Sequence, residues 1–218
     1  MIFKLKQNKN KDIEDTYKES MKELNSFYGI NWINDTPKIF IVNNRKEIDF
    51  LLNDKTEDWV IGWTNHCHTV FILNRSKIKT ESSHRKGYSK GEYKAFIKHE
   101  LSHLFSKILT KNGYRPIWLW EGLAIYTSGQ NEYSVVPEKF SQFLDFYETH
   151  TNKNKKSVYY ESGFLVEMLI KQFGKEKLLK FLKSIRKVEN RKEFDDLFFK
   201  TYKFKLNYQE VNRVYRSH

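Results

Sequence analysis

The sequence predicts an α+β fold, with a small mixed sheet and helices over residues 1–88 and a mostly helical part over residues 89–218. Two observations support this prediction. Runs with the composition of β-strands lie in the first third of the chain, whereas apolar residues at helical spacing dominate from Ser89 onward. Strands that precede a set of helices are typical of α+β proteins. Because 16% of the 218 residues are aromatic, the chain can bury one sizeable core, and we expect a single domain.

The predicted elements of the first part alternate between helices and strands. In chain order they are a helix over residues 12–28, a strand over 38–42, a helix over 45–52 and strands over 59–63 and 69–73. Gly29 stands where the first helix should stop, since glycine readily adopts the left-handed conformation that closes a helix.

The second part is predicted to consist of helices joined by short turns. Ser89 and Glu92 form the S-x-x-E pattern of a capping box, which indicates a helix start at this point. Gly113 ends that helix, and Pro116 precedes the next one. Further helices are predicted over residues 117–128, 135–150, 159–173, 175–187 and 193–202, with a short one near the C-terminus.

The chain is strongly basic, with a formal net charge of +12. Nucleic-acid binding, binding to an anionic surface or substrate, and simple solubility compete to explain such a charge. The lysines are spread along the chain with one tight run at residues 153–156, which favours a solvated surface. The sequence also lacks the common nucleic-acid-binding motifs, so we do not expect a nucleic-acid partner.

Simple patterns exclude several classes of protein. No window approaches the roughly 18 consecutive apolar residues of a membrane-spanning helix, so no span is expected. Residues 1–8 lack the apolar centre of a secretion signal, and we expect a cytoplasmic protein. The single cysteine, Cys67, excludes an internal disulfide framework and a cysteine-rich zinc site.

The clearest functional signal is the sequence His-Glu-Leu-Ser-His at residues 99–103. Residues four apart share one face of a helix, so His99 and His103 can both reach one zinc ion at about 2.0–2.1 Å. Glu100 lies on a neighbouring line of the same helix, where it can reach water at the metal without binding the ion. The alternative is a pair of ordinary helix histidines, and the capped, strongly periodic helix around the motif argues against it.

The next predicted helix supplies a third candidate ligand. Residues 117–126 are apolar nearly throughout, and Glu121 is the one carboxylate among them. A buried carboxylate needs a counter-charge, which a divalent metal or a lysine or arginine partner would supply. The turn at residues 112–116 folds this helix back beside the motif, giving a three-ligand set with an open fourth position. Gly122 would let two helix backbones approach closely beside the metal.

The sequence His99-Glu100-x-x-His103, followed by Trp-Leu-Trp-Glu121-Gly-Leu-Ala, resembles the gluzincin metallopeptidases. These include the thermolysin-like and aminopeptidase-N-like enzymes and small relatives of unassigned substrate. The resemblance covers roughly residues 59–202 and is strongest in these two blocks. It implies a zincin-like fold, one Zn²⁺ per chain held by His99, His103 and Glu121, and Glu100 as the general base.

A further segment, residues 157–164, is similar to the tyrosine-bearing segment of the aminopeptidase-N-like branch. The match implies that Tyr160 faces the metal and stabilises the transition state, with Tyr159 in that role if the register shifts by one. Two features of the branch are missing. One is the Gly-x-Met-Glu-Asn stretch that grips a free amino terminus. The other is the acidic residue that orients a ligand histidine, whose places hold Ile125 and Ser128.

In these relatives an edge strand before the motif helix pairs with the extended substrate. The resemblance assigns this substrate-binding role to Val70, Phe71 and Ile72, and an ordinary sheet strand is the alternative. His66 and His68 could share a strand face and bind a second metal, although exposed histidines are the commoner case.

These observations favour a zinc metallopeptidase that hydrolyses a peptide or protein substrate through a metal-activated water. A zinc hydrolase of a non-peptide substrate, or an inactive zincin-like scaffold, would keep the metal site without peptidase activity. A basic binding protein with an incidental motif is the third alternative, and it would bind no metal.

Overall fold

The structure, a computed structural model, describes residues 10–65, 68–150 and 157–217 and has the predicted α+β architecture. The strands are β1 (Lys38–Val42), β2 (Gly62–Asn65) and β3 (Thr69–Leu73). The helices of the first part are α1 (Lys11–Tyr28), α2 (Arg45–Leu52) and α3 (Arg75–Glu81). The helices of the second part are α4 (Lys90–Thr110), α5 (Ile117–Ser128), α6 (Ser162–Phe173), α7 (Lys175–Ser184), α8 (Arg191–Tyr202) and α9 (Tyr208–Arg216). One continuous apolar core joins the sheet to both sets of helices.

The three strands form a mixed sheet in the order β1-β3-β2. Strand β3 pairs in parallel with β1 and antiparallel with β2, so its backbone groups are used on both sides. The prediction that this strand is an edge that receives the substrate is therefore wrong. Val70, Phe71 and Ile72 lie in the central strand, and Val70 and Ile72 are fully buried. The edge beside the later helices belongs to β2.

Helix α4 begins at the predicted capping box. The Ser89 hydroxyl accepts a bond from the Glu92 backbone N–H at 3.2 Å, and the Glu92 carboxylate accepts one from the Ser89 N–H at 2.8 Å. Helices α1 and α5 pack against α4 and bury it on most sides. The Tyr28 hydroxyl of α1 lies 2.8 Å from the Ser102 hydroxyl, so α1 is also tied to the middle of α4 by a buried hydrogen bond.

Helix α5 lies in the interior, as its apolar sequence predicts, and packs against both α4 and α6. A Cβ atom on Gly122 would lie only 2.4 Å from the carbonyl oxygen of Ser162. This contact confirms that Gly122 permits a close approach of two helix backbones, those of α5 and α6. At the end of α5, Gly129 adopts the left-handed conformation with φ 80° and turns the chain back toward α4.

The predicted helix over residues 135–150 is wrong, since this segment is irregular apart from one short 3₁₀ turn, Phe143–Asp145. Pro137 disfavours a helix start at residue 135, because the residue before a proline is biased toward extended backbone. Glu161 replaces the hydrogen bonds of a helix: its buried carboxylate accepts bonds from the backbone N–H groups of Ser141, Gln142 and Phe143. A side chain distant in sequence therefore satisfies the backbone that a helix would have satisfied locally.

Smaller differences concern element bounds. Strand β2 begins at Gly62 rather than at residue 59, α3 has no predicted counterpart, and the helix predicted from residue 159 begins at Ser162 after a 3₁₀ turn, Val158–Tyr160. The lysine-rich run at residues 153–156 lies outside the described residues. None of the described helices has the length and apolarity that crossing a bilayer requires.

Candidate metal centre

The three predicted ligands converge in the interior between α4 and α5. The Nε2 atoms of His99 and His103 lie 3.1 Å apart, and Glu121 Oε2 lies 3.2 Å from the first and 3.6 Å from the second. All three side chains are at least 94% buried, with exposed fractions of 6%, 6% and 3%. This arrangement is a buried group that could hold a metal ion.

The spacing of these atoms suits a small four-coordinate cation. Ligands bound tetrahedrally at about 2.0–2.1 Å stand about 3.3 Å from one another, close to the separations seen here. Glu121 Oε2 is buried and accepts no hydrogen bond from any described residue. An ionised oxygen in that position, facing two imidazole nitrogens, is stabilised by a positive charge, which a metal ion or a protonated His99 would supply. Burial lowers the pKa of His99, but Glu121 and Glu100 outweigh it and hold that pKa above its ordinary value. The donor set therefore fits a metal that binds nitrogen and oxygen.

Histidines surround the Glu121 carboxylate. Burial on its own would raise the pKa of Glu121, but His103, His150 and His99 together hold it far below the ordinary value. Burial lowers the pKa of His103 to about 3, so that imidazole is neutral and has a lone pair for a metal. Among the described residues, no lysine or arginine forms an ion pair with Glu121. The alternative that a lysine or arginine neutralises this carboxylate therefore has no support in the structure.

The His99 ring is oriented by Gln130, a residue that sequence reasoning missed. Gln130 belongs to the 3₁₀ turn Gln130–Tyr133 that follows α5, and its Oε1 lies 2.7 Å from His99 Nδ1. Since the amide oxygen only accepts, Nδ1 carries the proton and Nε2 is left free on the side of Glu121. The signal that could have found Gln130 is its position directly after the Gly129 turn, which brings the chain back over α4.

The His103 ring is held by stacking. Its plane lies 12° from that of Trp120, with ring centroids 4.8 Å apart. The Arg115 guanidinium covers the same indole at 4.2 Å from the ring centroid. In the described part of the chain, His103 Nδ1 is buried without a hydrogen-bond partner. Packing rather than a hydrogen bond therefore sets the orientation of this imidazole.

Glu100 lies beside the ligand group and faces a cavity that His99 also lines. Burial raises the pKa of Glu100 to about 7, and the Glu121 carboxylate adds to this rise against the opposing effect of His99. Gly62 of β2 packs directly over the carboxylate. A Cβ atom at this glycine would lie 2.9 Å from Glu100 Oε1 and 2.5 Å from the Phe96 ring, so only glycine fits here without a shift.

His150 is a second residue that sequence reasoning missed. Its Nε2 lies 3.2 Å from Glu121 Oε1, the carboxylate oxygen that points away from His99 and His103. The contact joins an irregular segment to α5 across 29 residues, and no local pattern signals such a pairing. Glu121 therefore has three histidines around it.

The cavity beside the ligand group has a volume of about 450 Å³. Eight of its lining residues are apolar or aromatic, namely Trp59, Val60, Ile61, Tyr88, Phe96, Ile125, Tyr133 and Tyr159. No lysine or arginine of the described residues lines it, although the whole chain has a net charge of +12. This basic protein thus has a mainly apolar cavity whose lining includes the carboxylates of Glu92 and Glu100.

The two candidate tyrosines occupy different surroundings. Tyr159 lines the cavity, and its ring centroid lies 6.3 Å from that of His99. Burial, together with the charges of Glu121 and Glu100, raises the pKa of Tyr159 well above the ordinary value, so the phenol stays protonated. Tyr159 and Tyr160 are similarly exposed, at 39% and 44%, but Tyr160 is not among the described residues that line the cavity. The structure thus brings Tyr159, and not Tyr160, to the metal group.

Strand β2 borders the cavity, and no other strand of the described residues pairs with its outer edge. The Leu73 N–H donates to the Ile61 carbonyl at 2.7 Å, and Gly62 pairs with Ile72 in the antiparallel register. Because hydrogen-bonded and non-bonded pairs alternate, the backbone groups of Gly62 and Thr64 point away from β3. An extended chain can pair with such an edge.

The structure does not test whether His66 and His68 form a second metal site. His66 lies outside the described residues, as does Cys67, and His68 Nδ1 lies 3.0 Å from the Asp35 carbonyl oxygen.

Comparisons of the chain with protein-family models, with curated proteins and with solved structures give no match. What the centre can do therefore has to be judged from its own residues.

Proposed function

We propose that the protein is a zinc-dependent metallopeptidase of zincin-like fold. One observation carries the proposal: His99, His103 and Glu121 converge on one point while Glu100 faces the adjoining cavity. Two imidazoles and one carboxylate favour zinc, since magnesium and calcium prefer sites made of oxygen ligands. The resemblance of these residues to the gluzincin pattern supports the same reading.

Zinc bound at this centre would supply a Lewis acid that polarises a carbonyl group and makes water a better nucleophile. Glu100 acts as the general base. With a pKa raised to about 7 by burial, its carboxylate accepts the proton of the attacking water near neutral pH and passes it to the leaving amine. The Gln130 amide oxygen keeps the proton of His99 on Nδ1, so that Nε2 remains a ligand.

Tyr159 is the proposed hydrogen-bond donor to the oxygen that gains negative charge in the transition state. Its raised pKa keeps the hydroxyl proton available, and its ring lies on the cavity side of His99. This assignment replaces Tyr160, which is not among the described residues that line the cavity.

The substrate proposed for this site is an extended peptide that pairs with the free edge of β2 and carries a large apolar side chain. The backbone groups of Gly62 and Thr64 would form the pairing, since they point away from β3. The aromatic lining favours apolar side chains, and the absence of lysine and arginine from the described lining disfavours acidic ones. A volume of about 450 Å³ accommodates more than one side chain.

The test compares zinc-loaded wild-type protein with Glu100→Gln on a peptide library. We expect one zinc per chain in both proteins, peptide cleavage by the wild type, and a loss of at least a hundredfold in kcat for the variant. Glu92→Gln is the matched control, because Glu92 also lines the cavity and glutamine preserves its capping bond. Equal cleavage by Glu100→Gln and wild type would refute the role of Glu100.

The same experiment separates the alternatives. A wild-type protein that binds zinc but cleaves no peptide in the library would refute the peptidase and favour a non-peptide hydrolase or an inactive scaffold. A protein that binds no zinc or other divalent metal under any loading condition would refute both the metal centre and the enzyme, and would leave a basic binding protein.

A further inference from the structure

The two carboxylate oxygens of Glu121 have different surroundings. Oε2 lies between the Nε2 atoms of His99 and His103, at 3.2 and 3.6 Å. Oε1 lies 3.2 Å from Nε2 of His150. A carboxylate can only accept a hydrogen bond, so the His150 nitrogen donates one to Oε1. One oxygen is therefore available to a metal and the other is used by an imidazole N–H.

His150 is held in place independently of α5. Its backbone carbonyl accepts a hydrogen bond from the Val158 N–H at 3.1 Å, which ties it to the 3₁₀ turn before α6. Its ring packs against Trp59, with ring centroids 5.8 Å apart. The side chain is 38% exposed and lines the cavity. The donor that reaches Oε1 is thus supported by two other segments.

We propose that His150 is a positioning residue that makes Glu121 a one-oxygen ligand. The inference rests on the proposed zinc centre. A carboxylate can bind a metal through one oxygen or through both. A donated hydrogen bond at Oε1 keeps that oxygen from the ion, so only Oε2 completes the set with His99 and His103. A one-oxygen Glu121 leaves the fourth position of a tetrahedral ion open for water.

The experiment uses His150→Phe, which removes the donor and keeps a ring, and His150→Gln, which restores an N–H donor. His84→Phe is the matched control, because His84 also lines the cavity but bonds to the backbone of Trp59 instead. Two quantities are measured for each protein: the zinc dissociation constant, by competition with a chelator, and the visible absorption spectrum of the Co²⁺-loaded form. Thermal unfolding of the metal-free proteins checks that each variant folds.

We expect His150→Phe to bind zinc about 10- to 100-fold more weakly, as is usual for loss of a group that hydrogen-bonds a metal ligand. Its Co²⁺ spectrum should weaken from the intense bands of a four-coordinate ion toward those of five-coordination, because both oxygens of Glu121 can then bind. His150→Gln should recover most of the affinity and the spectrum. His84→Phe should match the wild type.

Two results would overturn the proposal. One is an unchanged zinc affinity and an unchanged Co²⁺ spectrum in a folded His150→Phe variant. The other is a His150→Gln variant as impaired as His150→Phe, which would indicate that the imidazole itself binds the metal. Neither result bears on peptide cleavage, and a wild type that binds zinc without cleaving peptides would refute the peptidase while leaving this inference standing.

Discussion

Gln130 Oε1 lies 2.7 Å from Nδ1 of His99, so a neutral amide orients this candidate ligand imidazole where the gluzincin pattern has an acidic side chain. An amide oxygen fixes the tautomer of the ring as a carboxylate does, but it adds no negative charge. Among the described residues, the buried centre consequently contains two carboxylates, those of Glu100 and Glu121. A third charge would raise the pKa of Glu100 further above 7.

Replacing Gln130 with Leu should weaken zinc binding about 10- to 100-fold, because His99 loses the acceptor that holds its proton on Nδ1. Gln130→Glu keeps an acceptor and should retain most of the affinity while raising the pKa of Glu100. The measurement is the zinc dissociation constant by chelator competition. A Gln130→Leu protein with wild-type affinity would show that the amide does not orient His99.

Replacing Gly62 with Ala should lower kcat at least tenfold and leave zinc affinity unchanged. The new Cβ would overlap the Phe96 ring and lie 2.9 Å from Glu100 Oε1, so the general base must move. A displacement of about 1 Å in a catalytic group can cost about a hundredfold in rate. Steady-state kinetics and zinc analysis of the same preparation test this. A loss of zinc together with activity would point to a disturbed centre instead.

Tyr159→Phe should reduce kcat by about 10- to 1,000-fold with little change in KM, because the lost hydroxyl acts on the transition state. Tyr160→Phe is the matched control: Tyr160 is the adjacent tyrosine, is similarly exposed and does not line the cavity in the described part of the chain, so near wild-type kinetics are expected. The comparison needs the same peptide substrate for both variants. Should the control lose activity and Tyr159→Phe retain it, the assignment of the donor would be reversed.

Tyr133→Ala should weaken the preference for peptides with a bulky apolar side chain by roughly 5- to 30-fold in kcat/KM, the effect of about 1–2 kcal/mol of lost apolar contact. Tyr133 lines the cavity and is 53% exposed, so the truncation should hardly affect folding. Val135→Ala, which removes a 75% exposed side chain just beyond it, is the control. Profiling on paired peptides that differ at one position decides the matter, and an unchanged profile would contradict the cavity assignment.

The stability of the metal-free protein should depend on pH through Glu100. Burial raises its pKa from 4.5 to about 7, so between these values the folded chain keeps a proton that the unfolded chain has lost. This contribution to the free energy of unfolding is present below about pH 4.5 and is lost as the pH rises through 7. Glu100→Gln lacks it.

The wild type should therefore lose about 3 kcal/mol of stability relative to Glu100→Gln between about pH 4.5 and a pH above 7. Urea unfolding of both proteins in the presence of a chelator, across this pH range, gives the difference. The other titrating groups are common to the two chains, and those that do not interact with Glu100 cancel; His99, whose pKa the Glu100 charge helps to raise, does not cancel fully. A difference that stays constant with pH would mean that Glu100 is not protonated in the folded metal-free state.

Local patterns were sufficient to predict most helices and the core of the centre. Three of these patterns span only one or two helical turns each: the capping box at Ser89, the four-residue spacing of His99 and His103, and the isolated carboxylate of Glu121. The helices α1, α2 and α5 and the strands β1 and β3 follow from the same short-range periodicity. These features depend on neighbours in the chain, which a sequence displays directly.

The features that the sequence did not predict depend on contacts between segments that are distant in the chain. Gln130 and His150 meet their partners across 31 and 29 residues, and no periodic pattern records either contact. The order of strands is also non-local, because the sequence Thr69–Leu73 is compatible with a central strand and with an edge strand. The irregular segment at residues 135–150 depends on Glu161, whose carboxylate satisfies backbone groups 18 to 20 residues away.

The stack of Arg115, Trp120 and His103 has an optical consequence. Trp120 lies flat on a ligand imidazole, so any change in the charge of that ring alters the quenching of indole fluorescence. Protonation of His103 and its coordination to a cation should change the emission in different ways, since protonation puts the positive charge on the stacked ring itself, whereas coordination leaves a neutral ring with the charge on the ion beyond it. The protein thus contains an intrinsic fluorophore one residue from Glu121, through which occupancy of the centre can be followed in real time.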